Sequence, residues 1–227
     1  MKILAIGAHP DDIELGCGAT LALFKEKGHQ VYMLILTKGE RSGDPKVRVN
    51  ECKRAARTLG VDKLMFGSLK DTQITDGPET ILEIENVINL LKPDIVFAHS
   101  FKDGHQDHRN AGMASLSAAR YSKKVLLYES PAALREFCPQ LFVDVGSTFG
   151  IKLRALKAFG SQADKVYFNH NGNGNGNHSR MSSSRLPQAS YAAGGLAQFR
   201  GYQAGVELAE AFEVGKFLLE IEKNHRK

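Results

Sequence analysis

The sequence predicts one α/β domain over residues 1–227, a Rossmann-like three-layer sandwich with a mostly parallel sheet. Three observations carry this. Five short apolar runs, at 3–8, 31–36, 64–66, 95–98 and 125–128, have the length of buried strands. Four longer stretches between them, at 15–27, 46–59, 79–91 and 108–120, read as helices. Alternation of this kind makes right-handed crossovers and hence a parallel sheet covered on both faces. The hydrophobic share, 42% of 227 residues, fills one sizeable core.

The elements follow in order. Ile3 to Ala8 is a strand that runs into His9-Pro10-Asp11-Asp12. Pro10 has no amide hydrogen and restrains His9 toward extended backbone, so the chain leaves the strand stiffly and turns into a helix from Glu14 to Lys27. Gly16 and Gly18 in that helix lack the full Gly-x-Gly-x-x-Gly phosphate fingerprint, so close packing is their expected role. The second strand, Val31–Leu36, leads to a helix in which Val49, Cys52, Ala56 and Leu59 recur three and four apart, with Lys53, Arg54 and Arg57 mostly outside that stripe. Two further strand–helix units follow, and the fourth strand ends in "HSFKDGHQDH" (99–108). Beyond the fifth strand the character changes. Residues 169–184, with three consecutive Asn-Gly pairs, are expected to form a flexible loop, and 203–222, with Val206, Ala209, Phe212, Phe217 and Leu218 apolar, an amphipathic helix.

Composition narrows the function. A net charge of +5 comes from 30 basic and 25 acidic residues that are interspersed, with no basic stripe interleaved with aromatics and no Trp. That disfavours a nucleic-acid partner and leaves an anionic small substrate open. Cys17, Cys52 and Cys138 show no Cys-x-x-Cys pairing, so neither a disulfide framework nor a thiolate metal site is expected; they read as core fillers in a reducing compartment. No run approaches the roughly 18 apolar residues of a membrane span, and the first apolar run is too short for a signal segment. A cytoplasmic protein is expected.

The chemistry concentrates at strand ends. His9, Asp11, Asp12 and Glu14 follow the first strand, and His99, His105, Asp107 and His108 follow the fourth. Buried charge needs a partner, a metal or open solvent. Asp11 or Asp12 could serve as a helix cap and His9 as an ordinary loop histidine. Two clusters at the carboxyl rim of one sheet, however, can converge where ligands bind in such folds. Two imidazoles and a carboxylate match a catalytic metal site with positions left open, and of His105 and His108 one can ligate while the other stabilises charge or moves protons. The same donor types also make the facial triad of a non-haem Fe(II) oxygenase, and a non-catalytic sugar or nucleotide binder is a third reading.

"AHPDDIELGCGAT" followed by "HQDH" resembles the PIG-L/LmbE family of metal-dependent N-deacetylases, and "TKGERS" (37–42), "RVNECKRAARTLGV" (48–61), Ser161-Gln162 and "RGYQAGVELAEAF" (200–212) are similar to family segments in the same order. The resemblance covers most of the chain; the Asn-Gly-rich stretch departs from it. It implies hydrolytic removal of an N-acetyl group from a small N-acetylglucosamine-containing molecule, with Zn2+ (or Fe2+ or another divalent ion) held by His9, Asp12 and His108. It further implies Asp11 as general base, His105 as oxyanion stabiliser oriented by Asp107, and Arg48 as a contact to the substrate's sugar hydroxyls or acidic aglycone. Glu14 is shared between a helix-start charge and a substrate contact, and assembly into a homo-oligomer is implied for some members.

Overall fold

The computed structural model describes residues 1–162 and 188–219. In chain order they form β1 (Lys2–Gly7), α1 (Asp12–Glu26), β2 (Gln30–Ile35), α2 (Pro45–Leu59), β3 (Lys63–Phe66), α3 (Pro78–Leu91), β4 (Ile95–His99), α4 (Gln106–Ala118), β5 (Lys124–Tyr128), β6 (Leu141–Asp144), α5 (Phe149–Leu156), α6 (Gln188–Ala204) and β7 (Ala209–Phe217), with a 3-10 turn at Gly160–Gln162. The seven strands lie in the order β3-β2-β1-β4-β5-β7-β6; the first five are parallel, and β7 runs antiparallel to both β5 and β6. β1 sits between β2 and β4, so the winding direction reverses beside it and opens a crevice at the carboxyl ends of β1 and β4. One core packs α1, α2 and α5 onto one face of the sheet through Ile13, Cys17, Leu21, Cys52, Ala56 and Ala155. The other packs α3 and α4 onto the opposite face through Ile84, Leu91, Ala111 and Ala114. The result is the single α/β sandwich the alternation predicts. No helix among the described residues is long and apolar enough to cross a membrane.

The last third differs from expectation. Instead of one helix over 203–222, α6 ends at Ala204, Gly205 turns with φ +73, and Ala209–Phe217 is a strand. β7 is inserted between β5 and β6, so Ala209 to Glu213 are all buried and show no strand alternation. Its charges are paired from other elements, Glu210 with Lys152 and Glu213 with Lys102. β6 and α5 are also additional to the five runs and their helices. Cys17 and Cys52 are buried as core fillers, whereas Cys138 is exposed in the loop before β6. The stretch expected to be a flexible loop, 169–184, lies outside the described residues, as do 220–222.

Two local features set up the site. Gly16 is needed because a Cβ there would lie 2.1 Å from the Tyr128 ring, which is fixed by its hydroxyl donating to Ile6 O at 2.8 Å. One residue later α1 breaks, with Cys17 at φ −141 and ψ 18. The amides of Ala19 and Thr20 beyond the break donate to Glu210 at 3.1 and 2.7 Å, and Lys152 Nζ donates to Leu15 O before it at 2.6 Å. A buried ion pair between Lys152 and Glu210, at 2.6 Å, thus bridges the two halves.

Candidate metal and catalytic site

At the end of β1 the chain turns through His9 and Pro10 and enters α1 with Asp11 at φ 104 and ψ −22. That left-handed region is costly for a residue with a Cβ, and such outliers collect at functional sites. Neither aspartate caps the helix. Asp11 makes no side-chain cap bond, and the Asp12 carboxylate turns back to accept the His9 amide at 2.7 Å. Across the crevice, the loop after β4 delivers His105 as the N-cap of α4, its Nδ1 accepting the Asp107 amide at 3.1 Å, with Asp107 and His108 in the first turn.

The two segments meet around Asp12. His9 Nδ1 lies 3.4 Å from Asp12 Oδ2, and His108 Nε2 lies 3.3 Å from Asp12 Oδ1. One ligand atom from each of His9, Asp12 and His108 falls within 4.8 Å of the others; His9, His105 and Asp107 form an overlapping group, and His99, Asp103 and His108 a third. The far nitrogens of the first trio also face carboxylates: His9 Nε2 stands 3.1 Å from Asp71 and 3.0 Å from Asp107, and His108 Nδ1 stands 3.1 Å from Asp103. Metal-ligating histidines characteristically present their outer nitrogen to such a carboxylate, which fixes ring and tautomer.

Each sequence-predicted residue has a definite place. His105 stands beside both imidazoles, with ring centroids 5.0 Å from His9 and 4.7 Å from His108. With Nδ1 accepting an amide hydrogen, its neutral tautomer carries the proton on Nε2 and remains a donor without being charged. The Asp107 carboxylate accepts from the Thr72 and Ile74 amides at 2.6 and 3.3 Å and faces His9, while it is the Asp107 backbone amide that meets His105. Arg48, only 2% exposed, is a buried side chain on the far side of the Pro10–Asp11 turn and not a surface cation. Glu14 is fully buried, and neither of its carboxylate oxygens has a partner among the described atoms.

Three residues went without a role in the sequence. His99 stacks on His108 at 4.1 Å, and its Nε2 lies 3.0 Å from Asp12 Oδ2 while receiving the Ala8 amide at 3.3 Å. Asp103 lies within the "HSFKDGHQDH" segment, where its spacing to His108 across a loop gave no geometric signal. Asp71 sits in the loop between β3 and α3, pinned by the Arg41 amide at 3.0 Å. The next residue, Thr72, has φ 69, a strain visible only in three dimensions.

The electrostatics demand positive charge. Asp12, Asp71, Asp103 and Asp107 are all buried, and each one's ion-pair partner among the described residues is an imidazole. Burial opposes a charged ring, yet hydrogen bonding to Asp107 and Asp12 pushes His9 up to about 12, and Asp12 and Asp103 push His108 up to about 9. His99, by contrast, is driven down to about 4 by burial and by its cationic neighbour His108, and His105 is lowered for the same reasons. Burial lifts Asp11 to about 6 against the pull of Arg48, and lifts Glu14 to about 8. Asp12 is held well below the ordinary carboxylate range by His108 and His99 despite its burial. Protons on His9 and His108 therefore sit where a bound cation would place its charge.

The fold is a Rossmann-like α/β sheet whose switch point carries a cluster of His and Asp side chains that could hold a metal ion. Residues 4–119 match the PIG-L family, described as GlcNAc-PI de-N-acetylase, and the chain belongs to that family. It is 38% identical over 166 residues to an uncharacterized deacetylase, YaiS, of Escherichia coli K12, covering 68% of this chain and 88% of that one. It is 31% identical over 186 residues to the diacetylchitobiose deacetylase of Thermococcus kodakarensis, covering 71% and 70%. Among solved structures, the conserved protein TT1542 of Thermus thermophilus superimposes with a TM-score of 0.80 at 26% identity over 96% of both chains.

Proposed function

We propose that this chain is a divalent-metal-dependent hydrolase that removes the acetyl group from a small N-acetylated amino sugar, with zinc held by His9, Asp12 and His108. The observation that carries the reading is the convergence of those three side chains, whose neighbouring donor atoms are 3.3–3.4 Å apart. One ligand atom from each lies within 4.8 Å of the other two, close enough to share one ion, and two imidazoles with one carboxylate are a donor set that zinc takes in catalytic sites. The outer carboxylates on both imidazoles and the cation-demanding charge balance support the same fit, and two relatives carry deacetylase names.

When bound, the metal polarises the acetamide carbonyl and makes water acidic enough to be deprotonated near neutral pH. The remaining work falls to the chain. Asp11 has a carboxylate not spent on capping, next to Asp12, and takes a proton from the attacking water. His105 donates from Nε2 to the oxygen on which charge develops, and the amide it accepts from Asp107 keeps that donor directed outward. When the C–N bond breaks, Asp11 returns its proton to the departing nitrogen, so the products are acetate and a free amine. Glu14, buried behind Asp11, is a supporting residue in this arrangement rather than a substrate contact.

The test is acetate release by zinc-loaded protein from N-acetylglucosamine, N,N'-diacetylchitobiose and N-acetylglucosaminides with anionic aglycones. Turnover that disappears on chelation and in Asp11→Asn is expected. Metal retained in full by a His9→Ala/His108→Ala variant refutes the ligand assignment. Oxygen uptake coupled to 2-oxoglutarate consumption with added iron would replace the hydrolase reading by the oxygenase one.

A further inference from the structure

We propose that Arg48 is a positioning residue for Asp11 and not a substrate contact: its guanidinium clamps the Pro10–Asp11 peptide so that Asp11 is held in its left-handed conformation. The inference rests on the reading of Asp11 as the base, and it departs from the substrate role that family resemblance implies for this arginine.

The geometry of the clamp is explicit. Arg48 Nη2 donates to Pro10 O at 2.5 Å, and Nη1 lies 3.4 Å from Asp11 Oδ2. One planar group therefore grips the carbonyl that precedes the strained residue and also that residue's own carboxylate. Asp11 needs such a grip, since φ 104 is unfavourable for aspartate and its side chain makes no helix-cap bond to offset the strain. A lysine, with a single nitrogen, could not hold both acceptors in one plane.

The guanidinium is also closed off from a ligand. Gly39, at φ +66, lies over it so tightly that a Cβ there would stand 2.9 Å from Arg48 Nε, 3.1 Å from Nη2 and 3.2 Å from Pro10 Cδ. Gly43 covers its aliphatic stem, with a Cβ position 3.9 Å from Cγ. The side chain is 2% exposed, and sugar hydroxyls would find no free face on it.

Its base is rigid as well. Arg48 lies in the first turns of α2, which starts with the Asp44 side chain capping Lys46 N at 2.8 Å and Pro45 at the first position. Cys52, Ala55, Ala56 and Leu59 of the same helix are buried in the core. The strain at Asp11 is thus balanced by the packing of a whole helix, as an over-determined local conformation requires.

A crystal structure of Arg48→Met decides the matter without any assay: Asp11 is expected to leave positive φ and withdraw its carboxylate. Retention of positive φ with the carboxylate in place overturns the proposal. In kinetics on N,N'-diacetylchitobiose, kcat is expected to fall on the order of 100-fold, since a misplacement near 1 Å costs about that much, while KM stays within about threefold. A raised KM with kcat intact would instead make Arg48 a substrate contact. Should Arg48→Met fail to fold, Gly39→Ala, which pushes the guanidinium without removing its charge, is expected to show the same loss of kcat; an unchanged kcat there also overturns the proposal. If the wild type releases no acetate from any sugar offered, the hydrolase reading fails, while the conformation of Asp11 in the variant still decides the clamp.

Discussion

Replacing Lys152 with Met tests whether the break in α1 is held by one buried ion pair. Lys152 Nζ donates to Leu15 O and to Glu210 Oε1, both at 2.6 Å, and the two side chains are 4% and 3% exposed. Met fills a similar volume but leaves an acidic carboxylate without its cation and the Leu15 carbonyl without a donor. Removing one member of a buried pair costs about 3–5 kcal/mol. Here the Ala19 and Thr20 amides still donate to Glu210, so the lower end, about 3 kcal/mol, is the expected loss. For a chain of this length that corresponds to a fall in Tm of about 6–12 °C. Urea titration followed by circular dichroism measures it. The double variant Lys152→Met/Glu210→Gln is expected to lose less than the sum of the single losses by at least about 1 kcal/mol, because the second change removes the charge that the first stranded. A single-variant loss below about 1 kcal/mol, or strict additivity, would show that the break holds itself.

Other expectations follow from the same structure. Gly16→Ala places a methyl carbon against the Tyr128 ring and should destabilise by about 1–3 kcal/mol, read from the urea midpoint at unchanged slope. Chelation of metal-loaded protein should lower Tm, and the drop should grow with the zinc concentration used beforehand, as linkage requires; a Tm indifferent to zinc contradicts the site. Glu213 is held below its ordinary pKa, against its own burial, by the Cys138 amide, Lys102 and Ser100. A depressed folded pKa gives stability that is present above the unfolded value of about 4.5 and is lost as pH falls through the folded value. Glu213→Gln should therefore be less stable than wild type at pH 7, with the gap closing below pH 4; a gap that is constant from pH 7 to pH 3 refutes that assignment.

The parts of this fold and site that were readable in the sequence are those in which neighbours along the chain are also neighbours in chemistry. β1, β2, β4 and β5 are apolar runs because each is buried in a parallel sheet, and β3 is a short one. His9 and Asp12 are joined by one turn, and His105 and His108 by another, so each half of the cluster announces itself. Asp71 and the burial of Arg48 had no such signal, since both depend on the 37–44 and 67–77 loops folding over the rim, where the Asp71 amide meets Glu40 and the Arg41 amide meets Asp71.

β7 failed to show for a different reason. Hydrophobic periodicity assigns a charge to the solvent side, and in Ala209–Phe217 the charges at 210 and 213 point to lysines supplied by α5 and by the loop after β4. With Glu210 and Glu213 counted as exposed, three of the apolar residues, 206, 209 and 212, fall three apart and imitate a helix. Buried ion pairs that join distant elements therefore conceal a strand twice over: they remove its alternation, and the spacing they leave behind belongs to another structure. One of these same pairs, Lys152–Glu210, also bridges the break in α1, whose first turn carries Asp12, so the residues that hid the strand from view help to place the site.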